Sequence, residues 1–320
     1  MALTVPKPVA LAKDEHQRLV PQIEFDPAAF DPWRIQPVRH LLSDHPLLQL
    51  EALTALGARL EAAGRIRTHA NDATAGTPFN NAPDLHPNTR SAVDTLSSLR
   101  EAKAWTSLLN VQTDSVYREL VGMVLDSVQP LVEQRDPGMC HRAGWIFVSS
   151  PRTVTPFHFD KEHNFILQIH GRKRVYVWDH RDTVVASELA RDRFHQRHDR
   201  DQLQWKESFR ERAQVFDLLP GQGAYMPSTS PHMVENGDDP SITISFTYYT
   251  DSTRRDAMLH KTHAVLRDLG VTLPEVGRWP LLDGATAVGV QSALALRALA
   301  ARLTGRAGAP GYARFAQVGM

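Results

Sequence analysis

Two imidazoles and one carboxylate carry the clearest chemistry in this 320-residue chain. In His158-Phe159-Asp160 an imidazole and a carboxylate stand two positions apart, so on an extended segment both project from one face. His232 lies far downstream and can bring a second imidazole from another strand. Together they would close one face of an octahedral metal and leave three adjacent positions free, the two-His-one-carboxylate arrangement suited to Fe(II) and oxygen chemistry. A His-x-Asp pair on its own is also common in solvated surface loops, so its neighbours decide.

Those neighbours extend the pattern. From Thr155 to Lys173 the sequence reads as a strand carrying His158 and Asp160, a second strand from Asn164 to His170, and a Gly171-Arg172 turn. A returning strand opens at Lys173, so this stretch is expected to be a hairpin. A lysine there, followed by Val175, Val177 and Trp178, can direct its ammonium into a barrel interior, where an unpaired cation needs an anion. A dicarboxylate co-substrate reaching past the metal would provide one; a solvated turn lysine is the alternative. Around His232 the order is a Pro220-Gly221 turn, a short strand ending at Pro227, a tight turn, and then His232 with Asn236. Thr243, Ser245 and Thr247 share one face of the last strand and can hydrogen-bond a ligand. Thr155 beside Pro156 can instead satisfy a backbone group, and Asn164 can cap a turn.

Residues 155–174 and 220–246 resemble the JmjC (jumonji-type) and cupin-like Fe(II)/2-oxoglutarate-dependent oxygenases, most nearly the asparaginyl hydroxylase of hypoxia-inducible factor. The likeness covers roughly residues 144–250, with ligands, lysine and turns in the same order. It implies a double-stranded β-helix in which His158, Asp160 and His232 bind Fe(II) and act as the catalytic centre. It further implies 2-oxoglutarate chelating the metal and O2 as the oxidant. Lys173 would hold the distal carboxylate of 2-oxoglutarate, with Thr155 and Asn164 also in contact. Ser245 stands where the relative has asparagine and takes the corresponding place in the co-substrate pocket. The reaction implied is hydroxylation of an unactivated C–H bond. The substrate would be a peptide, a protein side chain or a small molecule. A different class also fits the metal triad: a non-catalytic metal-binding cupin acting as a ligand sensor, which would have no need for an inward lysine.

The elements that must position these residues follow from periodicity. Strand-like runs at 144–149, 153–160, 164–170, 173–178, 213–219, 222–226, 232–235 and 241–249 suit an antiparallel β core. Helical spacing marks 48–60, 96–109 and 115–132 before it; Met258 to Leu266 and Val288 to Leu303 follow it. The expected class is mainly β: a double-stranded β-helix (jelly-roll, cupin-type) core with N- and C-terminal helices. Residues 1–135 form an arm and helical flank, 136–250 the catalytic core, and 251–320 a helical region. Pro6, Pro8, Pro21, Pro27, Pro32 and Pro37 suggest an extended arm over residues 1–40. The 66–88 stretch reads as a loop and 179–211 as a charged insertion, both candidates for substrate recognition.

Bulk properties exclude several classes. Lys plus Arg equals Asp plus Glu at 36 each, so no long-range pull toward nucleic acid or an acidic membrane is expected. One cysteine, Cys140, excludes an internal disulfide and a cysteine zinc cluster. With neither a signal-peptide pattern nor a membrane-length apolar run, the expected location is cytoplasmic. His163 is expected to face solvent or substrate, and His195 and His198 to lie in a solvated loop. Trp145, Phe147, Phe157 and Phe165 are expected in the core. The leucine stripe at 288–303 reads as core or the seam of a homodimer.

Overall fold

The computed structural model describes residues 22–303. The expected arm's Pro6, Pro8 and Pro21, and the chain beyond Leu303, lie outside the described residues. Strands β1 (Ile23–Glu24) and β2 (Gln36–His40) lead into α1 (Leu50–Ala62) and β3 (Ile66–Ala70). Short helices α2 (Ala82–Leu85), α3 (Ala92–Ser97) and α4 (Leu99–Ala102) precede β4 (Ala104–Leu108), and α5 (Ser115–Arg135) precedes β5 (Cys140–Ser149). Next come β6 (Val154–His158), β7 (His163–His170), β8 (Lys173–Val177) and α6 (Glu188–Arg197). The chain continues through β9 (Gln214–Leu218), β10 (Gln222–Met226), β11 (His232–Asn236) and β12 (Ser241–Tyr249) into α7 (Asp251–Asp268) and α8 (Pro280–Leu303).

The strands form two antiparallel sheets, ordered β1-β2-β10-β7-β12-β5-β4-β3 and β6-β11-β8-β9. Alternation along each strand sorts side chains between two faces. On β7, Phe165 and Leu167 join Ile146, Val148, Ile244 and Phe246 in a core against α1 and α5, while Ile166 faces the other way. Ile166, Ala224 and Met226 of the larger sheet pack on Val175, Val177, Leu218 and Val234 of the smaller one. Strands β10-β7-β12-β5 and β6-β11-β8-β9 are therefore the two halves of the expected double-stranded β-helix. Burial of each large apolar side chain contributes about 1.5–3 kcal/mol. The close seating of α5 on β5 needs Gly144, where a Cβ would meet Val121 Cγ2 at 2.7 Å.

Several expectations give way. The Gly171-Arg172 turn does not close a hairpin, because β7 and β8 belong to different sheets. It carries the chain across the barrel, with Gly171 at φ 74° and a Cβ there only 2.2 Å from Pro240 O. The helix expected over 96–109 stops at Lys103, in the left-handed region at φ 50°, and β4 begins. β4 pairs Trp105 with Ser149 and Leu108 with Ile146, and all five of its residues are buried. The open edge of β5 outcompetes the local period. The expected 66–88 loop contains β3, and residues 36–40 of the expected arm form β2. The 179–211 insertion carries α6 and buries Phe194, Leu203 and Phe209 against Phe157, Tyr176 and Trp178.

Candidate metal centre

β6 and β11 bring the three chemical residues together. The pairing sets His232 opposite His158 and Val234 opposite Thr155, two residues against three, so a bulge lies in β6. That bulge lets Thr155 and His158, three positions apart, both face the interior. Asp160 follows just beyond the strand end. Its Oδ2 lies 3.7 Å from His158 Nε2 and 3.7 Å from His232 Nε2. One ligand atom from each residue falls within 4.8 Å of the others. The turn leading to His232 is tied to the Asp160 segment, since Thr229 N donates to Asp160 O at 2.8 Å and Ser228 Oγ to Lys161 O at 2.7 Å.

The surroundings set the donors. His158 Nδ1 donates to Pro156 O at 2.7 Å and His232 Nδ1 to Ser230 O at 3.0 Å, which leaves both Nε2 lone pairs directed at the shared space. Burial lowers both imidazole pKa values, most strongly for His158, so neutral rings are available as ligands. Burial works against ionisation of Asp160, but the charged and polar groups around it, the Arg200 guanidinium among them, overcome it and hold the carboxyl well below its usual range. Phe79 lies flat on the His158 ring, with centroids 3.8 Å apart and planes 7° from parallel. Two neutral nitrogens and one carboxylate oxygen are a donor set for a divalent first-row metal. The side chains present fit such an ion.

Below this level the barrel interior is polar. Lys173 lies opposite Asn236 and Val177 opposite His232, so four residues of β8, ~13 Å at ~3.3 Å each, separate the lysine backbone from the ligand level. Lys173 is 3% exposed and has no ion-pair partner among the described residues; burial alone lowers its ammonium to about 7. Thr155 accepts from Trp105 Nε1 at 2.9 Å, so it satisfies an indole rather than a backbone group and keeps its own proton free to donate. Asn164 Oδ1 and Ser245 Oγ are buried without hydrogen-bond partners, as are Ser107 Oγ, Ser149 Oγ and Asn236 Oδ1. Buried polar atoms without partners are rare unless a ligand or water completes them. A buried cation beside hydroxyls free to donate, those of Ser107, Ser149 and Ser245, suits a small anion.

Other expectations are corrected. His163 shares the outward face of β7 with Phe165 and is fully buried, 2.9 Å from Tyr225 Oη and 3.5 Å from Asp136 Oδ2, so it lines no substrate space. His195 is also buried, on α6, and stacks on His260 at 5.0 Å. His198 receives a hydrogen bond from Arg200. Glu188, Asp192 and His260 form a second group with metal-like spacing. Arg191 and Arg267 already pair with its two carboxylates, so this cluster holds α6 to α7. Phe157 and Phe165 are core, whereas Trp145 and Phe147 are only half-buried on the inner face of β5. Sequence reasoning missed Arg200, Phe79 and Trp105. A lone aromatic within the polar 77–81 stretch was the one available signal, for Phe79.

Residues 63–254 match the family model described as a cupin-like domain. No curated protein sequence matches the chain. Among solved structures, the chain is similar to YcfD of Escherichia coli at 16% identity and TM-score 0.41, over 79% of this chain and 59% of that one. A YcfD structure described as a ribosomal oxygenase in complex with cobalt and 2-oxoglutarate gives 16% identity and TM-score 0.42, over 79% and 58%. The dimethylsulfoniopropionate (DMSP) lyase DddQ of Ruegeria pomeroyi DSS-3 gives 14% and 0.23, over 34% and 38%. The chain thus spans under two thirds of the length of each of these solved structures. Among the described residues no helix is long and apolar enough to cross a membrane.

Proposed function

The chain belongs to the cupin-like domain family, and on that premise we propose that it is an Fe(II)- and 2-oxoglutarate-dependent oxygenase. It hydroxylates an unactivated C–H bond of a peptide or protein side chain or of a small metabolite, as the motif likeness to the asparaginyl hydroxylase suggests. One observation carries the reading: His158 Nε2, Asp160 Oδ2 and His232 Nε2 converge at one end of a barrel that buries an unpaired lysine further down.

Bound Fe(II), with 2-oxoglutarate and O2, supplies a two-electron oxidation in which R–H becomes R–OH and the co-substrate leaves as succinate and CO2. The protein's part is positional. The carbonyls of Pro156 and Ser230 fix the imidazole tautomers, and Arg200 keeps Asp160 ionised. Lys173 anchors the distal carboxylate of 2-oxoglutarate, while Thr155, Asn164 and Ser245 offer polar groups beside it. Ile166, Val175, Val177 and Val234 keep the adjoining space apolar and exclude water. The same reading includes a cytoplasmic homodimer formed through the C-terminal helices. There Trp279, Leu281, Leu282 and Val288 expose apolar surface, with Leu281 92% accessible.

The test is incubation with Fe(II), 2-oxoglutarate and ascorbate. Succinate should form above the level of a Lys173→Ala control, and calorimetry should detect 2-oxoglutarate binding to the wild type. Metal binding without 2-oxoglutarate binding would favour a sensor instead.

A further inference from the structure

We infer that Arg200 is a positioning residue that makes Asp160 a one-oxygen ligand of the metal centre. The inference rests on the metal-centre reading above. Asp160 lies beyond the end of β6 with its side chain 34% exposed, so neither a strand ladder nor tight packing fixes its carboxylate. Arg200 does. Its Nη2 donates to Asp160 Oδ1 at 2.9 Å and its Nε to Phe159 O at 3.0 Å, gripping side chain and backbone of one segment. Its Nη1 donates to Asn80 Oδ1 and to His198 Nε2, each at 2.8 Å. The guanidinium is itself buried, with Phe194 at 4.5 Å and Phe79 at 5.1 Å from its carbon. Phe79 is the ring that lies on His158, so Arg200 supports two ligands at once.

With Oδ1 engaged, only Oδ2 faces the two Nε2 atoms. A carboxylate free to turn could bind through both oxygens and take one of the three adjacent positions that this ligand set otherwise leaves open. A planar fork reaching three directions is needed for this, and lysine cannot supply it.

The test is a Co(II) titration of the metal-free protein, followed by visible absorption, for wild type, Arg200→Lys and Arg200→Met. Circular-dichroism melts in chelator report folding independently. Both variants should bind Co(II) about 10- to 100-fold more weakly, the range for loss of a partner that orients a metal ligand. The spectrum of bound Co(II) should also change, and lysine should not rescue either readout although it keeps the charge. A folded variant with wild-type affinity and spectrum overturns the inference. Should both Arg200 variants fail to fold, Asn80→Ala decides, because Asn80 is exposed, touches no metal ligand through a hydrogen bond, and bonds only the guanidinium and the carbonyl of His198 beside it. A several-fold loss of affinity supports the role, and none overturns it. Failure of the wild type to bind Co(II), or undiminished binding by His158→Ala, would instead overturn the metal-centre reading itself.

Discussion

Replacing Lys173 by methionine should stabilise the protein and, on the proposed function, abolish binding of 2-oxoglutarate. Lys173 is 3% exposed and lacks a counter-ion among the described residues, and burial lowers it from 10.5 to about 7. Because the folded pKa is the lower one, the native state resists protonation. The penalty is full below pH 7 and fades as pH rises toward 10.5. At 1.36 kcal/mol per unit the shift costs about 4 kcal/mol at pH 7 and about 2 kcal/mol at pH 9. Lys173→Met removes that penalty at similar side-chain length, so urea unfolding of the ligand-free protein should show a gain of about 2–4 kcal/mol at pH 7 that shrinks by pH 9. On the proposed function, binding of 2-oxoglutarate would restore a partner for the ammonium. The wild type should therefore take up a proton on binding at pH 8–9, seen by calorimetry in buffers of different ionisation enthalpy. Lys173→Met should bind 2-oxoglutarate at least about 100-fold more weakly, in line with losing a buried charge pair. A methionine variant less stable than wild type at pH 7, or one retaining affinity, would refute the reasoning.

Other consequences are equally direct. His158→Ala should abolish iron-dependent turnover and leave the melting temperature nearly unchanged; global unfolding would contradict a ligand role. Asp160→Ala should also be inactive, but less stable by about 1–3 kcal/mol because Arg200 loses its carboxylate, and Asp160→Asn should recover part of that loss in a chelator-containing melt. Gly171→Val forces a branched side chain to φ 74° and against Pro240 O, so its urea midpoint should fall by the equivalent of about 1–3 kcal/mol or more; an unshifted midpoint would show that the turn relaxes freely. Leu281→Glu should convert the proposed dimer to monomer in sedimentation velocity, and a monomeric wild type would remove that proposal.

Much of the barrel was legible because alternation is strong there. Residues 222–226 and 241–249 were expected as strands with the bounds that β10 and β12 adopt. The approach of His158 and His232 was readable because alternation along a strand constrains side-chain direction, whereas Asp160 lies beyond the end of β6, off the extended segment that the two-residue spacing assumed. Helical spacing misled at 96–109, where Leu99, Trp105 and Leu108 fit a helix period but the unpaired edge of β5 imposes a strand. The position of His163 was readable in principle, since it shares parity with Phe165 on β7. Arg200 was not. Its role depends on a contact with a segment 40 residues earlier, and its setting of Asp, Arg and His residues looks like any solvated loop until Phe194 and Phe79 cover the guanidinium.

The central claim is tested most directly by an anomalous difference map from crystals grown with Mn(II) and 2-oxoglutarate. The account expects a metal peak bonded by His158 Nε2, Asp160 Oδ2 and His232 Nε2, with a ligand carboxylate reaching Lys173. A metal held elsewhere, or these three side chains turned away from one another, would contradict it.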